Sequence, residues 1–440
     1  MKKILFAIIA LFCAHSINAH GKGEQVIYNG VPWFDTEGNI INAHGACVVE
    51  DGGRYWLFGE YKSHGNNNFI GFGCYSSSDL VNWKFERIVL PQQKDGILGP
   101  GRVGERVKVM KCPKTGEYIM LMHADNQNYG DPYIALATSP TINGEYTFHG
   151  PILYNGKPVK RWDMGTFQDE DGTGYLLIHH GPIYRLAEDY RSIVAQAANI
   201  KGMGESPAMF KKDGMYYLLT SNLTGWERND NYYFTATNIE GPWKRHGCFC
   251  PEGTLTYNSQ STFVFPLRKD GKTTYIYMGD RWSYPYQDEA ATCVWLPLTV
   301  DGEKLSVPEY KRAWSITDGS DKKFIGRETH VGMSSDAKGH HISIPFKGRQ
   351  IAIEGLADDK GGYGEIRILD SKGKLLHKSY VDFYSKVADN GLRFVSRKYK
   401  KGSHTLQVEV LGEHWGWKDK HGTETGSKDN FVNVDKVIVR

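Results

Sequence analysis

"DGMYYLLTSN", residues 213–222, reads as a tight turn at Asp213-Gly214 running into a strand of alternating apolar residues. The same figure recurs as "GGRYWLFGEY" from Gly52, "TGEYIMLMHAD" from Thr115, "DGTGYLLIHH" from Asp171 and "DGKTTYIYMGD" from Asp270. A second figure follows several of these copies: "CYSSSDLVNWKFE" from Cys74, "LATSPTINGEYTFHG" from Leu136 and "TATNIEGPWKRHG" from Thr235. Each is a strand, a polar turn and another aromatic-bearing strand. One unit therefore holds about four strands, and five units predict a five-bladed β-propeller. Uneven spacing means inserted loops, which on one propeller face build a site. Helical periodicity is nearly absent between Glu24 and Ile316, which argues against a barrel of alternating strands and helices. The rival fold is a β-sandwich built with common turn sequences.

The texture changes near Thr317. "HHISIPFKGRQIAIEGL", "GEIRILDSKGKLLHKSYV", "SHTLQVEVLGE" and "NFVNVDKVIVR" alternate with period two and lack the aromatic strand. They predict a second all-β domain over 317–440, a jelly-roll-like two-sheet sandwich that could bind carbohydrate. In its "GEHWGWKDKHG", Trp415 and Trp417 either stack on a sugar or pack against the propeller. At the other end, "MKKILFAIIALFCAHSINAHG" has the layout of a secretory signal cleaved after Ala19, with residues 20–316 left as the propeller. Its apolar run is too short for a membrane span. Cys13 raises a lipoprotein alternative, against which bulky Phe12 argues. The mature chain is expected to be a soluble monomer, secreted or periplasmic.

A net charge of +3 provides neither a nucleic-acid footprint nor a polybasic membrane patch. The six cysteines beyond the signal permit disulfides without requiring any. None has CxxC spacing, so no metal and no cofactor is expected. Cys248 and Cys250 read as two buried strand positions.

In "GESPAMFKKDGMYYLLTS", Glu205 stands directly before a Ser-Pro, at the start of the fourth unit's aromatic strand. Pro207 fixes the backbone and biases Ser206 towards an extended shape, so that the acid is held. This stretch, with "KRWDMGTFQDEDGTGYLL", resembles the third and fourth blades of glycoside hydrolase family 43, whose members are five-bladed propeller glycosidases. The resemblance runs from about residue 30 to 316. It implies Glu205 as the general acid and Asp163 as the aspartate that orients it and tunes its pKa. The chemistry fits, because a protonated acid must meet the leaving oxygen and a neighbouring carboxylate favours protonation.

The family's first-blade catalytic base is missing: in "NAHGACVVEDGGRYWLFGEYK", His44-Gly45 stands where that aspartate would lie. This departure, with "ERVKV" and "SQSTFV", resembles the exo-β-1,3-galactanase subgroup. That likeness implies that Glu105 contacts the non-reducing galactose and Gln260 holds the attacking water of an inverting reaction, whose groups stand about 6.5–9.5 Å apart. An amide is a poor base. Either Gln260 acts as its imidic tautomer or Glu105 aids the water. Glu60, Tyr129, Thr224 and Trp226 are implied sugar contacts, and Asp280, Arg281 and Trp282 end the fifth unit similarly. Three structural alternatives stay open: Glu105 in an ion pair with Arg106 or Lys108, Gln260 as a satisfied polar loop residue, and Asp163 in a salt bridge beside Arg161. The expected activity is exo-acting release of galactose from β-1,3-galactan, the polysaccharide partner. The rivals are an α-L-arabinofuranosidase or β-xylosidase of the same fold, and a propeller that binds glycans without cleaving them.

Overall fold

The computed structural model describes residues 25–418 and 422–440; the signal expected at residues 1–19 lies outside them. The protein is all-β. Helix among the described residues is limited to a 3-10 turn at Gly96–Leu98 and the short segment Leu255–Asn258, and no helix is long and apolar enough to cross a membrane.

Five sheets, antiparallel except for one parallel pairing of Tyr154 with Ile193 in the third, follow one another along the chain. Their first strands are His44–Asp51, Arg102–Lys111, Met164–Gln168, Glu205–Lys212 and Gln260–Lys269. Each of the five aromatic strands found in the sequence becomes the second strand of its sheet: Arg54–Lys62, Tyr118–Asn126, Gly174–Ile178, Met215–Ser221 and Lys272–Arg281. The pattern survives because these strands are buried on both faces, packed between neighbouring sheets by rings such as Phe58, Tyr118, Tyr175, Tyr217 and Tyr277. The five first strands are neighbours in a circle, each next to the one before and the last beside the first.

The fifth sheet departs from the four-strand expectation, having only three strands, Gln260–Lys269, Lys272–Arg281 and Thr292–Pro297. Its outer edge is covered from the chain's start. Asn29 exchanges hydrogen bonds with the Trp295 backbone at 2.7 and 2.9 Å, the Gly30 amide donates to Cys293, and Val26–Tyr28 pairs with Ala313–Ser315. Covering an edge removes a template for unwanted strand pairing. The third sheet instead gains two short outer strands, Leu153–Tyr154 and Lys157–Pro158.

Beyond residue 326, two four-stranded sheets share one core, which includes Ile351, Ile353, Phe394 and Val434 of one sheet and Ile366, Ile368, Leu406 and Val408 of the other. These sheets are tied to the first five by polar contacts. Tyr384 donates to Glu227 at 2.7 Å, Ser283 to Asp382 at 2.8 Å and Arg312 to Asp389 at 2.6 Å. All six described cysteines are free thiols. Cys248 is exposed at the end of an edge strand, and Cys250 is buried but lies beyond that strand. The expected pair of buried strand positions does not form, because the chain leaves the sheet between them.

Candidate active site

At the inner rim the first strands are bent. Their pairing slips between His44 and Cys47, between Glu105 and Lys108, between Glu205 and Ala208, and between Ser261 and Phe263. In the first three of these bulges the next residue turns left-handed, with φ of 59° at Gly45, 57° at Arg106 and 56° at Ser206. Such bulges re-aim the side chain at a strand's end. Ser206 is therefore not extended as its Pro207 neighbour predicts. The bulge overrides the local preference, and Ser261 Oγ donates to the Ser206 carbonyl at 2.9 Å to hold it.

Gln260 is aimed by a different device. Leu255 to Asn258 take φ between 52° and 59°, four successive non-glycine residues in the left-handed region. That conformation costs about 1–2 kcal/mol per residue, so surrounding groups must impose it. The Asp230 carboxylate accepts from the Gly253 and Leu255 amides, both at 2.8 Å. Thr256 Oγ1 accepts from the Asn231 amide at 2.7 Å, and Asn231 Oδ1 accepts from the Ser261 amide at 2.8 Å.

These devices converge on a cavity of about 760 Å³ lined by Glu105, Asp163, Glu205, Gln260, Tyr129 and Trp226, among others. Gln260 Nε2 donates to Glu205 at 2.9 Å and to Ser221 Oγ at 2.9 Å. Its Oε1 accepts from Arg106 at 2.5 Å and from Trp282 Nε1 at 2.9 Å. Arg106 also pairs with Asp163 at 3.1 Å, and Ser206 Oγ donates to Asp163 at 2.8 Å. One guanidinium thus joins three sheets.

A second cluster adjoins. Glu105 Oε1 accepts from Tyr129 at 2.9 Å, from Asn67 at 3.0 Å and from Lys62 at 3.3 Å. Burial opposes its charge, but Lys62 and His123 hold it well below the usual carboxylate range. His123 is pushed up to about 9 against its own burial by Asp125 and Glu105. Glu205 moves in the opposite direction: burial first, then the Asp163 charge, raises it well above the ordinary glutamate value, with Arg106 only partly offsetting them. Two acids of one cavity are therefore driven apart, one kept ionised and one protonated. Glu105, His123 and Asp163 bring possible metal-ligand atoms within 4.8 Å of one another. Lys62, Arg106 and His123 already supply positive charge there.

Of the expected site residues, Glu205, Asp163, Gln260, Glu105, Tyr129 and Trp226 share the cavity wall, as does Trp282. Glu60 lies beneath it, fully buried, bound to the Arg106 amide at 2.7 Å and paired with Lys62 at 2.8 Å. The Thr224 hydroxyl is turned away, donating to the Glu227 carbonyl at 2.7 Å and accepting from Asn229 at 2.7 Å. Asp280 is buried behind the wall near His44, and Arg281 reaches the Tyr257 carbonyl. Glu105 pairs with Lys62, not with Arg106 or Lys108, and the partner of Asp163 is Arg106, not Arg161. Trp415 is fully buried, whereas Trp417 reaches the cavity. Gly45 fills the place of the missing base: a Cβ there would stand 2.0 Å from Glu60 Oε1, so the pinned Glu60 leaves no room for an aspartate.

Sequence reasoning did not assign a role to Arg106, Lys62, Asn67, His123, Ser206 or Ser221. Arg106 adjoins Glu105 in "GERVKV", and its left-handed backbone, invisible in the sequence, sends it across to Asp163.

A carboxylic acid kept protonated beside a second carboxylate, in a ring-walled cavity wide enough for a hexose, has the equipment to cleave a glycosidic bond, which makes this protein a glycoside hydrolase. The chain belongs to glycosyl hydrolase family 43, whose profile matches residues 45–248. The structure of a putative exo-β-1,3-galactanase from Bifidobacterium bifidum is 37% identical, with a TM-score of 0.60 over 63% of this chain and 95% of that one. The exo-β-1,3-galactanase of Phanerochaete chrysosporium, solved with galactose, is 27% identical, with a TM-score of 0.70 over 94% of this chain and all of that one. The exo-β-1,3-galactanase of Clostridium thermocellum is 26% identical, with a TM-score of 0.62 over 95% of this chain and 97% of the other. No curated protein matches the sequence.

Proposed function

We propose that this chain is a secreted five-bladed β-propeller, residues 20–316, followed by a β-sandwich, residues 317–440, and that it removes galactose from the non-reducing end of β-1,3-galactan with inversion. The circle of neighbouring first strands supports the propeller, and the common core of the last two sheets supports the sandwich. The substrate reading draws on relatives named exo-β-1,3-galactanases. The observation that carries the chemistry is the hydrogen bond between Gln260 and Glu205 beside Asp163.

Protonated Glu205 gives its proton to the glycosidic oxygen as the bond from that oxygen to the anomeric carbon breaks. Water adds to the anomeric carbon from the opposite face, and the proton it sheds as that bond forms is accepted by the ionised Glu105 and passed on to solvent. Gln260 does not take that proton: Oε1 already accepts from Arg106 and Trp282, both of which can only donate, so the side chain is held as an ordinary amide. With Nε2 bonded directly to Glu205 and Ser221 at 2.9 Å, it holds the acid in place and, against the expectation, stands too close to it to flank a water on the opposite face. Glu105, held ionised by Lys62 and His123, is a weak base and a strong acceptor for sugar hydroxyls.

Incubation with β-1,3-galactan should release galactose, first as the α-anomer by NMR, and an aryl arabinofuranoside should stay intact. Release of arabinose would transfer the chain to the rival arabinofuranosidases, and no release from either substrate would favour a non-catalytic binder.

A further inference from the structure

We infer that the seam between the first and fifth sheets carries a zinc site, with His44, Asp280 and Cys293 as its three protein ligands. His44 opens the first strand of the first sheet. Asp280 lies near the end of the fifth sheet's second strand, and Cys293 faces it in register from the third. A ring nitrogen, a carboxylate oxygen and Sγ from the three residues all lie within 4.8 Å of one another. The expectation of no metal rested on cysteine spacing along the chain, whereas these ligands meet only because the circle of sheets closes.

The side chains are set for an ion. His44 is 1% exposed, yet neither of its nitrogens has a hydrogen-bond partner, and a buried polar group in that condition calls for an ion or a water. Its Nδ1 stands 3.6 Å from Asp280 Oδ1, which is beyond the reach of an N–H···O bond. Two ligands of one tetrahedral zinc stand about 3.3–3.6 Å apart, given Zn–N and Zn–O lengths of about 2.0–2.2 Å. The Gly45 amide donates to Asp280 Oδ2 at 3.2 Å, leaving Oδ1 towards His44, as an outer-shell bond orients a metal-binding carboxylate. The nearby cations are engaged elsewhere, Lys108 with the Gly45, Arg106 and Val107 carbonyls and Arg106 with Asp163 and Gln260.

The donor set decides which ion fits. Sulfur and imidazole beside one carboxylate suit zinc, not calcium or magnesium, which take oxygen ligands. Three protein ligands leave the fourth tetrahedral position to a water. On binding, the Cys293 S–H bond breaks, a Zn–S bond forms and one proton passes to solvent. Cys293 is the only partly buried member of the three, which gives the ion its way in. None of the three lines the catalytic cavity. The ion would therefore fasten the ring of sheets at its closing point, whatever sugar the enzyme takes.

Exposed Cys248 can bind a soft ion on its own, so the test uses the full chain carrying Cys248→Ser. Stripped with chelator and dialysed, this protein should take up one equivalent of Zn²⁺ by elemental analysis and melt at a higher temperature with the ion than without it. With Co²⁺ it should show a sulfur-to-metal charge-transfer band. Adding Cys293→Ser should abolish that band, weaken Zn²⁺ at least about tenfold and remove the shift in melting temperature. Cys293→Ala should do the same, and a cooperative melt of either variant reports that it folds. No uptake by the Cys248→Ser protein, or uptake unchanged by the Cys293 substitutions, would overturn the site.

Discussion

Glu205 must carry a proton at the working pH, and desolvation and the Asp163 charge both act to keep it there. Replacing it with glutamine keeps the shape and removes the proton donor. We expect kcat on β-1,3-galactan to fall by about 10²–10⁴-fold, with galactotriose binding retained by calorimetry. Because the protonated form is the active one and its pKa is raised, activity should persist above the pH at which an ordinary glutamate ionises, then decline as pH rises through the elevated value. Asp163→Asn removes the charge that opposes ionisation and frees Arg106 to favour it. Both effects lower the Glu205 pKa, so the alkaline limb of kcat/KM should move to lower pH; an unmoved limb would refute this role for Asp163. Glu205, Asp163 and Gln260 were legible in the sequence because each sits in a local motif at the start of a repeated strand. Arg106 was not, because its partners Asp163 and Gln260 come from other sheets. The place of the Thr224 hydroxyl was hidden for a related reason: its neighbours Glu227 and Asn229 satisfy it.

The first strand of the sheet before Glu205's, Met164–Gln168, matters for how the acid is held. Gly165, in the first strand of the third sheet, would place an added Cβ 2.1 Å from the Pro207 carbonyl oxygen, an approach between backbones that no side-chain motion can relieve. Gly165→Ala should lower stability by about 1–3 kcal/mol in urea unfolding and reduce kcat by displacing the bulge at Ser206. Unchanged stability and turnover would mean that the two strands separate freely. The aromatic strands were legible here because their repeated turn and apolar run are local signals. The left-handed turn at Leu255–Asn258 was not, because tertiary hydrogen bonds from Asp230 and Asn231 hold it; nor were the bulges at Arg106 and Ser206, where the pairing slips on residues with no local preference for that region. The three-stranded fifth sheet escaped notice similarly, its edge being covered by Asn29 from the opposite end of the chain.

At the scale of the whole molecule, the last two sheets are bound to the first five through Arg228, Glu227, Ser283 and Arg312. A chain ending at residue 316 would leave Arg228 buried among groups that had lost their partners, a costly arrangement. We therefore expect the truncated protein to unfold at lower temperature than the full chain and to be cut more readily by protease; equal melting temperatures would contradict this coupling. The sequence marked where the texture changes near Thr317, but it could not reveal that Trp417 returns to the cavity, since no short-range pattern records a contact across two halves of a molecule. The pairing of Val26–Tyr28 with Ala313–Ser315 bears on how the protein is made. Three residues near the beginning find their partners only after nearly three hundred more have been synthesised. Until then that short strand has no partner, so the growing chain carries its clasp undone while the sheets between its two halves form.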